Sequence, residues 1–108
     1  MISISDRGRF LFEQVIYAQL KTIHLLTATG ELEAHGYAPK DLDPEQWADN
    51  EYPPIRWEFS AGDPVNVTGW AIKDAFDKEL MRENFQEPQL IQHTGDKITV
   101  NILLRVMR

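Results

Sequence analysis

Three histidines are the residues of this chain best suited to metal binding or acid–base chemistry: His24, His35 and His93. No two of them have the spacing of a helical ligand pair, and none belongs to an H-E-x-x-H motif. Glu31, Glu33 and His35 alternate, so on a strand they would share one face and offer two carboxylates and an imidazole to a metal ion. Alternating polar residues are more often the solvated face of a strand, and we therefore predict no metal site.

A second candidate for ion binding is the run Asp41-x-Asp43-x-Glu45, which has the spacing of the first ligands in a calcium loop. Such a loop requires glycine at its sixth position, where this chain has Gln46. Pro44 also stands among the ligands. The run is therefore interpreted as a plain acidic loop.

No arrangement of residues in the sequence indicates catalysis. The chain has 17 acidic residues, but no pair of them is isolated in apolar sequence that would separate two pKa values. Ser3, Ser5 and Ser60 lack the context of a nucleophile elbow, and Gly62 and Gly69 stand alone rather than in a phosphate-binding loop. We predict that the protein is not an enzyme and holds no cofactor. A small barrel-type enzyme is the least favoured alternative.

The composition is that of one folded domain. The chain has 108 residues, enough for a single core, and residues 1–108 are predicted to form one β-rich domain. It is 43% hydrophobic and 26% charged, which argues against disorder. The absence of cysteine excludes disulfides, thiolate metal sites and cysteine nucleophiles.

The charge balance and the absence of long apolar runs restrict the possible partners. The net charge of −6 would repel a phosphate backbone, so nucleic acid is not an expected partner. No apolar run reaches the roughly 20 residues that cross a bilayer, so no membrane partner is expected. Residues 1–6 lack the basic and apolar regions of a signal peptide, and we expect assembly in a cytoplasm.

A helix is predicted from residue 6 to about residue 17. Ser5 and Asp6 are good N-cap types. Gly8 weakens the first turn, and Arg7 and Arg9 oppose the helix dipole there, so a strand is the alternative. Apolar residues recur at helical spacing in two rows, which are Leu11, Val15 and Ala18, and Phe12 and Ile16.

Two strands are predicted after the helix, followed by a long loop. Residues 21–27 are rich in β-formers and end at the turn Thr29-Gly30, and residues 31–38 would form a second, shorter strand. Residues 39–54 contain four prolines and five acidic residues, which indicates an acidic, proline-rich surface loop with a helical turn at residues 44–47. A loop of this length in a small domain is often functional.

The second half of the chain alternates between apolar and polar residues. Residues 55–60 and 65–68 are predicted strands, and Gly69 interrupts the second at a change of phase, which suggests a β-bulge. A turn at residues 74–78 leads to a strand over 79–85, and Pro88 marks an edge or a break before a short strand at 90–91. The last strand is the clearest, with Ile98, Val100, Ile102, Leu104 and Val106 on one face. We predict an all-β fold, a sandwich or jelly-roll-like domain, with one N-terminal helix.

The aromatic residues divide into core and loop positions. Trp57, Phe59 and Trp70 occupy the apolar phases of strands and are predicted to be core. Trp47 and Tyr52 lie in the acidic loop, where binding to a partner and local packing are equally favoured. Leu103 points to the polar face of the last strand. Trp47, Tyr52 and Leu103 are therefore the candidate interface residues.

Four short motifs resemble those of small structural proteins of tailed bacteriophages. They are Gly36-Tyr37-Ala38 followed by the loop with Trp47, the block Val67-Thr68-Gly69-Trp70-Ala71-Ile72, the strand Glu79-Leu80-Met81-Arg82-Glu83-Asn84-Phe85, and the turn Gly95-Asp96-Lys97-Ile98. The resemblance implies a β-sandwich or jelly-roll-like virion protein, such as a head decoration (cement) subunit or a tail accessory subunit. It implies no individual functional residue.

We expect from these observations a virion protein that is assembled in the host cytoplasm. It would associate with itself, a trimer being the expected form, and bind a larger shell or tail protein through the helix and the acidic loop. The alternative is a carbohydrate- or ligand-binding β-sandwich module that uses Trp47 and Tyr52 as stacking platforms.

Overall fold

The computed structural model describes residues 5–104, and these form one helix and two antiparallel sheets. The elements are α1 (Asp6–Gln19), β1 (Thr22–Thr27), β2 (Gly30–Glu31), β3 (Lys40–Asp41), a 3-10 turn (Pro44–Gln46), β4 (Glu51–Glu58), β5 (Val65–Lys73), β6 (Glu79–Ile91) and β7 (Lys97–Leu103). The larger sheet has the strand order β2-β1-β5-β6, with β3 also paired to β1, and the smaller sheet pairs β4 with β7. The predicted all-β class with an N-terminal helix is confirmed.

Helix α1 begins at the predicted cap. The Ser5 hydroxyl accepts a hydrogen bond from the Gly8 N–H at 3.1 Å, which satisfies one of the free donors of the first turn. At the other end, the Leu20 N–H donates to the Tyr17 carbonyl at 3.2 Å. The helix prediction is confirmed, and the alternative of a strand is wrong.

The hydrophobic core is formed by the apolar faces of both sheets. Ile55, Trp57 and Phe59 are buried on β4 and just beyond it, and the alternating residues of β7 are buried as predicted. Trp70 is buried with them, on the larger sheet. One cluster therefore joins the two sheets, with Ile23, Leu25, Val67, Ile72, Ile91, Ile98, Val100 and Ile102 among its members. Val106, the last residue of the predicted strand pattern, lies outside the described residues.

The bulge predicted at Gly69 is present, and β6 is longer than predicted. Between the pairs Val67–Gln89 and Gly69–Asn84 the register shifts, so four residues of β6 stand opposite Thr68. The two predicted strands over 79–85 and 90–91 are one strand of 13 residues. Strand β6 lies at the edge of the larger sheet, where Pro88 costs no ladder hydrogen bond.

The strand predicted over residues 31–38 is wrong beyond Glu31. His35 and Gly36 both have positive φ, 61° and 72°, which turns the chain out of the strand path. The hydroxyl of Tyr37 accepts the hydrogen bond from the Leu25 N–H at 3.0 Å. A side chain therefore satisfies a strand donor that a continued β2 would have taken.

The predicted loop over residues 39–54 contains more regular structure than its prolines suggested. Strand β3 opens it, and β4 begins at Glu51 and runs through Pro53 and Pro54. The two prolines fit because the β4–β7 register shifts between Tyr52 and Ile55, where the ladder requires no donor from them. The helical turn is confirmed at Pro44–Gln46.

Candidate functional site

The outward face of α1 is the most exposed apolar surface on a regular element of the described chain. Phe12 and Val15 are 61% and 62% exposed, and Leu11 and Ile16 are 49% and 40% exposed. These four residues, the α1 stripe, form two rows spaced four residues apart. At about 100° per residue they cover about 140° of the helix. The stripe is a continuous apolar face with no partner in the described chain.

Tyr17 anchors α1 to the rest of the molecule, and it is the only buried residue of α1 among those whose side chains the structure describes. Tyr17 is 2% exposed and lies roughly opposite the stripe on the helix. Its ring stacks on the indole of Trp47 with the centroids 5.0 Å apart and the planes within 7°. Its hydroxyl donates to Asn50 Oδ1 at 2.8 Å and accepts from the Asn50 N–H at 3.0 Å. The anchor turns the stripe away from the body.

A tight turn places Asn50 beneath the helix. Ala48 and Glu51 exchange two backbone hydrogen bonds of 2.9 Å, and the two residues between them, Asp49 and Asn50, have φ of 51° and 64°. Positive φ at both central positions defines a type I′ turn, in which Asp and Asn are favoured. The sequence Asp49-Asn50 thus supplies the geometry that the anchor needs.

The surroundings of the anchor affect the Tyr17 hydroxyl. Burial raises the pKa of Tyr17, and the nearby carboxylates of Glu13 and Asp49 raise it further. The hydrogen bond from the Asn50 backbone opposes this change, but the pKa remains above its ordinary value. The hydroxyl therefore stays protonated and can keep donating to Asn50.

The three predicted interface residues differ in exposure. Trp47 is only 6% exposed, so it is a core residue in this fold, as in the local-packing alternative, and its Nε1 has no hydrogen-bond partner among the described residues. Tyr52 is half-buried, contacts Trp47 edge-on with the centroids 5.0 Å apart, and accepts a hydrogen bond from the Asp43 N–H. Leu103 is 59% exposed and pairs with Glu51 at the start of β4.

The structure therefore brings Trp47 and Tyr52 together under α1 and leaves Leu103 on the surface. The stripe residues were not singled out from the sequence, although their two helical rows were visible. Those rows indicate only that a helix has an apolar face, and not whether the face lies inside or outside.

An acidic surface adjoins the anchor. The five carboxylates of residues 39–54 are all exposed, and they belong to Asp41, Asp43, Glu45, Asp49 and Glu51. Glu45 lies in the 3-10 turn against which α1 packs, and Asp49 lies close enough to Tyr17 to affect its hydroxyl. A shallow groove of about 220 Å³ lies beside them, between the 3-10 turn and the start of β4. Gln46, Ala48, Glu51, Tyr52, Pro53 and Pro54 line it.

A buried polar cluster on β1 has the order of a hydroxyl–imidazole–carboxylate relay. His24 Nε2 lies 2.7 Å from Thr22 Oγ1, and His24 Nδ1 lies 2.8 Å from Glu31 Oε2. The Tyr37 hydroxyl donates to the same carboxylate oxygen at 2.8 Å. Acyl transfer would also require free N–H donors for an oxyanion. Thr22 is paired on both sides, with β3 and with β5, so its backbone is engaged in the sheet.

The hydrogen bonds of this cluster therefore connect β1, β2 and the segment that follows β2. Burial raises the pKa of Glu31, but the hydrogen bonds from His24 and Tyr37 outweigh this and hold the pKa below its ordinary value. For Tyr37, burial and the bond to Glu31 raise the pKa well above the ordinary value. Tyr37 therefore stays protonated and Glu31 stays ionised, as the hydrogen bond from the Tyr37 hydroxyl to the Glu31 carboxylate requires.

His35 is a second buried histidine, and it joins two loops. Its Nδ1 lies 2.8 Å from the Ser60 carbonyl oxygen and its Nε2 lies 2.7 Å from the Asp63 carbonyl oxygen. A side chain at Gly62 would overlap the imidazole, with its Cβ 2.9 Å from His35 Cε1. Glu31, Glu33 and His35 do not share a strand face, and residues 5–104 contain no cluster of three or more potential metal-binding His, Asp or Glu residues.

The described part of the chain is elongated. The described chain measures 54 × 24 × 23 Å, with a radius of gyration of 15.8 Å, whereas a compact domain of 100 residues has about 13 Å. Within the described part, no helix combines the length and apolar character needed to span a bilayer.

Comparisons with protein-family models, with curated proteins and with solved structures find no match to this chain. The geometry of α1 and its anchor is therefore the basis for a functional conclusion, together with the sequence resemblance described above.

Proposed function

We propose that the chain is a structural subunit of a tailed-bacteriophage virion, a head decoration (cement) subunit or a tail accessory subunit. It acts by binding protein, both other copies of itself and a larger virion protein, in a particle assembled in the host cytoplasm. The four sequence motifs support the virion assignment. The proposal includes a sandwich arrangement in which the β4–β7 pair covers one face of the larger sheet.

The observation that carries the protein-binding role is the α1 stripe. A helix on the surface of a monomer normally turns its apolar face toward its own core. Here the anchor Tyr17 is on the opposite side, so the body does not cover Phe12 or Val15. Contiguous exposed apolar surface of this kind marks a site of protein association.

The burial of Trp47 argues against the carbohydrate-binding alternative. A stacking platform needs an open aromatic face. One face of the indole is covered by Tyr17, its edge is met by Tyr52, and the residue is 6% exposed. Tyr52 alone remains partly accessible, beside the groove.

The binding role can be tested on the purified protein with two matched substitutions. Val15→Glu places a charge in the stripe, and Leu90→Glu places the same charge on a leucine of β6 that is 56% exposed. Light scattering behind a sizing column should give an oligomer for the wild type and for L90E, and a monomer for V15E. An oligomer that survives V15E would show that the stripe is not the contact surface.

The virion assignment requires a separate test. Purified particles of the phage that encodes the chain should contain it in a fixed ratio to the major shell or tail protein, measured by quantitative mass spectrometry. Particles that lack the chain would refute the assignment, even if the isolated protein is oligomeric.

A further inference from the structure

We infer that His35 is held as an imidazolium and forms a proton-dependent clasp between two segments of the fold. One segment follows β2 of the larger sheet and carries His35, and the other is residues 60–63, which follow β4 of the smaller sheet. The clasp is complete when both ring nitrogens carry a proton, and it weakens when the ring loses a proton as the pH rises. This inference is independent of the protein-binding role proposed above.

The hydrogen bonds of His35 require a proton on both ring nitrogens. Its Nδ1 lies 2.8 Å from the Ser60 carbonyl oxygen, and its Nε2 lies 2.7 Å from the Asp63 carbonyl oxygen. A carbonyl oxygen can only accept a hydrogen bond, whereas a neutral imidazole has one N–H and one lone pair. In either neutral tautomer, a nitrogen lone pair would therefore face an oxygen at hydrogen-bond distance. The imidazolium donates to both carbonyls.

A carboxylate near the ring can balance the positive charge. His35 is only 7% exposed, and a buried cation is costly unless it is hydrogen-bonded and paired. Hydrogen bonds from the His93 and Gln92 N–H groups hold the pKa of Asp96 below its ordinary value, and the charges of His93 and His35 lower it further. The Asp96 carboxylate therefore stays ionised close enough to His35 to interact with its charge.

The other titratable side chains of the segments around the ring are exposed. They are Glu33 on the segment that carries His35, Asp63 on residues 60–63, and His93 on the turn before β7. Salt and water screen exposed charges. The two carbonyl oxygens in contact with the ring, together with Asp96, are therefore the groups that favour its charged form.

The backbone conformation of His35 also depends on the clasp. Its φ of 61° lies in the left-handed region, which is uncommon for residues other than glycine. The His35 carbonyl accepts a hydrogen bond from the Ser60 N–H at 3.0 Å, so three hydrogen bonds join residue 35 to residues 60–63. Such a conformation persists where the surrounding contacts hold it. Loss of one contact would allow the segment to relax.

Gly62 leaves the space that the ring occupies. A Cβ at this position would lie 2.9 Å from His35 Cε1 and 3.1 Å from His35 Nδ1. The Gly62 N–H donates to the Gln92 carbonyl at 3.1 Å, and the Ala61 N–H donates to Thr94 Oγ1 at 3.2 Å. Residues 60–63 therefore connect His35 to the turn before β7, and the clasp links both sheets.

The protonation state of the ring can be measured directly in the intact protein. Nitrogen-15 NMR distinguishes a ring nitrogen that carries a proton from one that has a lone pair. At about pH 7.5, where an ordinary histidine is mostly neutral, we expect both nitrogens of His35 to carry a proton. A wild-type spectrum with one unprotonated His35 nitrogen at this pH would overturn the inference.

Hydrogen exchange follows the clasp as the ring loses its proton. The native state binds this proton more tightly than the unfolded chain does, so the stability that it confers falls as the pH rises. From about pH 6 to about pH 9 we expect the protection factor of the Ser60 amide to fall about tenfold. The Glu51 amide, which donates to the Ala48 carbonyl at the other end of β4, is the internal reference. Its protection factor should change less than about twofold.

Three substitutions separate His35 from the groups around it. His35→Asn removes the titratable ring, and asparagine tolerates a positive φ. Gly62→Ala keeps the ring but takes its space, and the φ of Gly62 lies outside the left-handed region, so alanine fits its backbone. Both variants should lose the pH dependence of Ser60 protection. His93→Asn removes an exposed histidine of the neighbouring turn and should retain it.

The variants and the wild-type spectrum test the inference independently. If H35N kept the pH dependence of Ser60 protection, another group would be its source, and the clasp would be refuted. Loss of that dependence in H93N alone would assign it to His93 and would also refute the clasp. The wild-type spectrum decides the charge of His35 even where a variant does not fold. None of these outcomes changes the oligomer test of V15E, so the proposed function stands or fails separately.

Discussion

The phenol ring of Tyr17 lies parallel to the indole ring of Trp47, with 5.0 Å between the centroids and 7° between the planes. This contact links the last turn of α1 to the acidic segment between β3 and β4. The two hydrogen bonds between Tyr17 and Asn50 fix the ring in the plane of the stack. The direction in which the α1 stripe faces therefore depends on the contacts of Tyr17 with Trp47 and Asn50.

Two substitutions of Tyr17 should distinguish the contribution of its hydroxyl to stability from that of its ring. Tyr17→Phe keeps the stack but leaves the Asn50 N–H without its acceptor, and we expect a loss of about 1–2 kcal/mol in the free energy of unfolding. Tyr17→Ala also removes the ring and should cost about 3–5 kcal/mol. Urea unfolding measures both values. Equal losses for the two variants would show that the stack itself contributes little.

The two tryptophans of β4 and its preceding loop allow a comparison of one substitution in two environments. Trp57 Nε1 donates to the Ala38 carbonyl at 2.9 Å, whereas Trp47 Nε1 is buried without a partner among the described residues. Phenylalanine leaves a similar cavity at either position. In Trp57→Phe it leaves the Ala38 carbonyl without its hydrogen-bond donor, whereas in Trp47→Phe it removes a donor that has no acceptor.

We therefore expect Trp57→Phe to destabilise the protein by about 1–3 kcal/mol more than Trp47→Phe does, measured by chemical unfolding at neutral pH. The assignment of Trp47 Nε1 as an unpaired donor would be wrong if the two variants lost equal stability.

Much of the fold could be predicted because strand periodicity is local. The alternation of Ile98, Val100 and Ile102 indicated the buried face of β7, and Gly69 indicated the bulge. The segment after Glu31 could not be predicted correctly, since its turn depends on a positive φ at His35, a conformation that is uncommon for residues other than glycine. The start of β4 was not predicted, because its prolines lie at a register shift, where the sheet loses no backbone hydrogen bond to them.

The candidate site was only partly predictable for a different reason. The helix and the acidic loop were both expected to be contact elements, but the residue types of Trp47 and Phe12 do not show which of them is buried. Trp47 is buried because it stacks on Tyr17, which lies 30 residues earlier in the sequence. Long-range pairings of this kind leave no periodic signal in the sequence.

The pKa of Glu31 predicts how stability depends on pH. Its folded-state pKa lies below the ordinary value of 4.5, because the bonds from His24 and Tyr37 outweigh the effect of burial. When the pH falls, the unfolded chain binds the proton first, so stability that is present above pH 4.5 is lost as the pH falls through the folded pKa.

Glu31→Gln should therefore be less stable than the wild type at pH 7, and its stability should decrease less steeply between pH 5 and pH 3. Tyr37→Phe removes one of the two bonds and should give an intermediate slope. Urea unfolding at half-unit pH intervals measures the slopes. Parallel curves for the wild type and E31Q would exclude this carboxylate as a source of acid sensitivity.

The close approach of β5 and β6 at Gly69 should make that position intolerant of any side chain. A Cβ at Gly69 would overlap the carbonyl oxygen of Glu83 and lie 3.0 Å from Asn84 Cα, both of which are backbone atoms that cannot rotate away. We expect Gly69→Ala to lower the free energy of unfolding by about 2–4 kcal/mol.

Gly95→Ala is the matched control for this substitution, because Gly95 has a φ of 93° and a Cβ at this position would meet no atom within 4 Å. It should show only the cost of backbone strain, about 1–2 kcal/mol. Thermal and urea unfolding of both variants measure the difference. If Gly69→Ala were no worse than Gly95→Ala, β6 would have to move away from β5 at the bulge, and the register that places four residues opposite Thr68 would not be fixed.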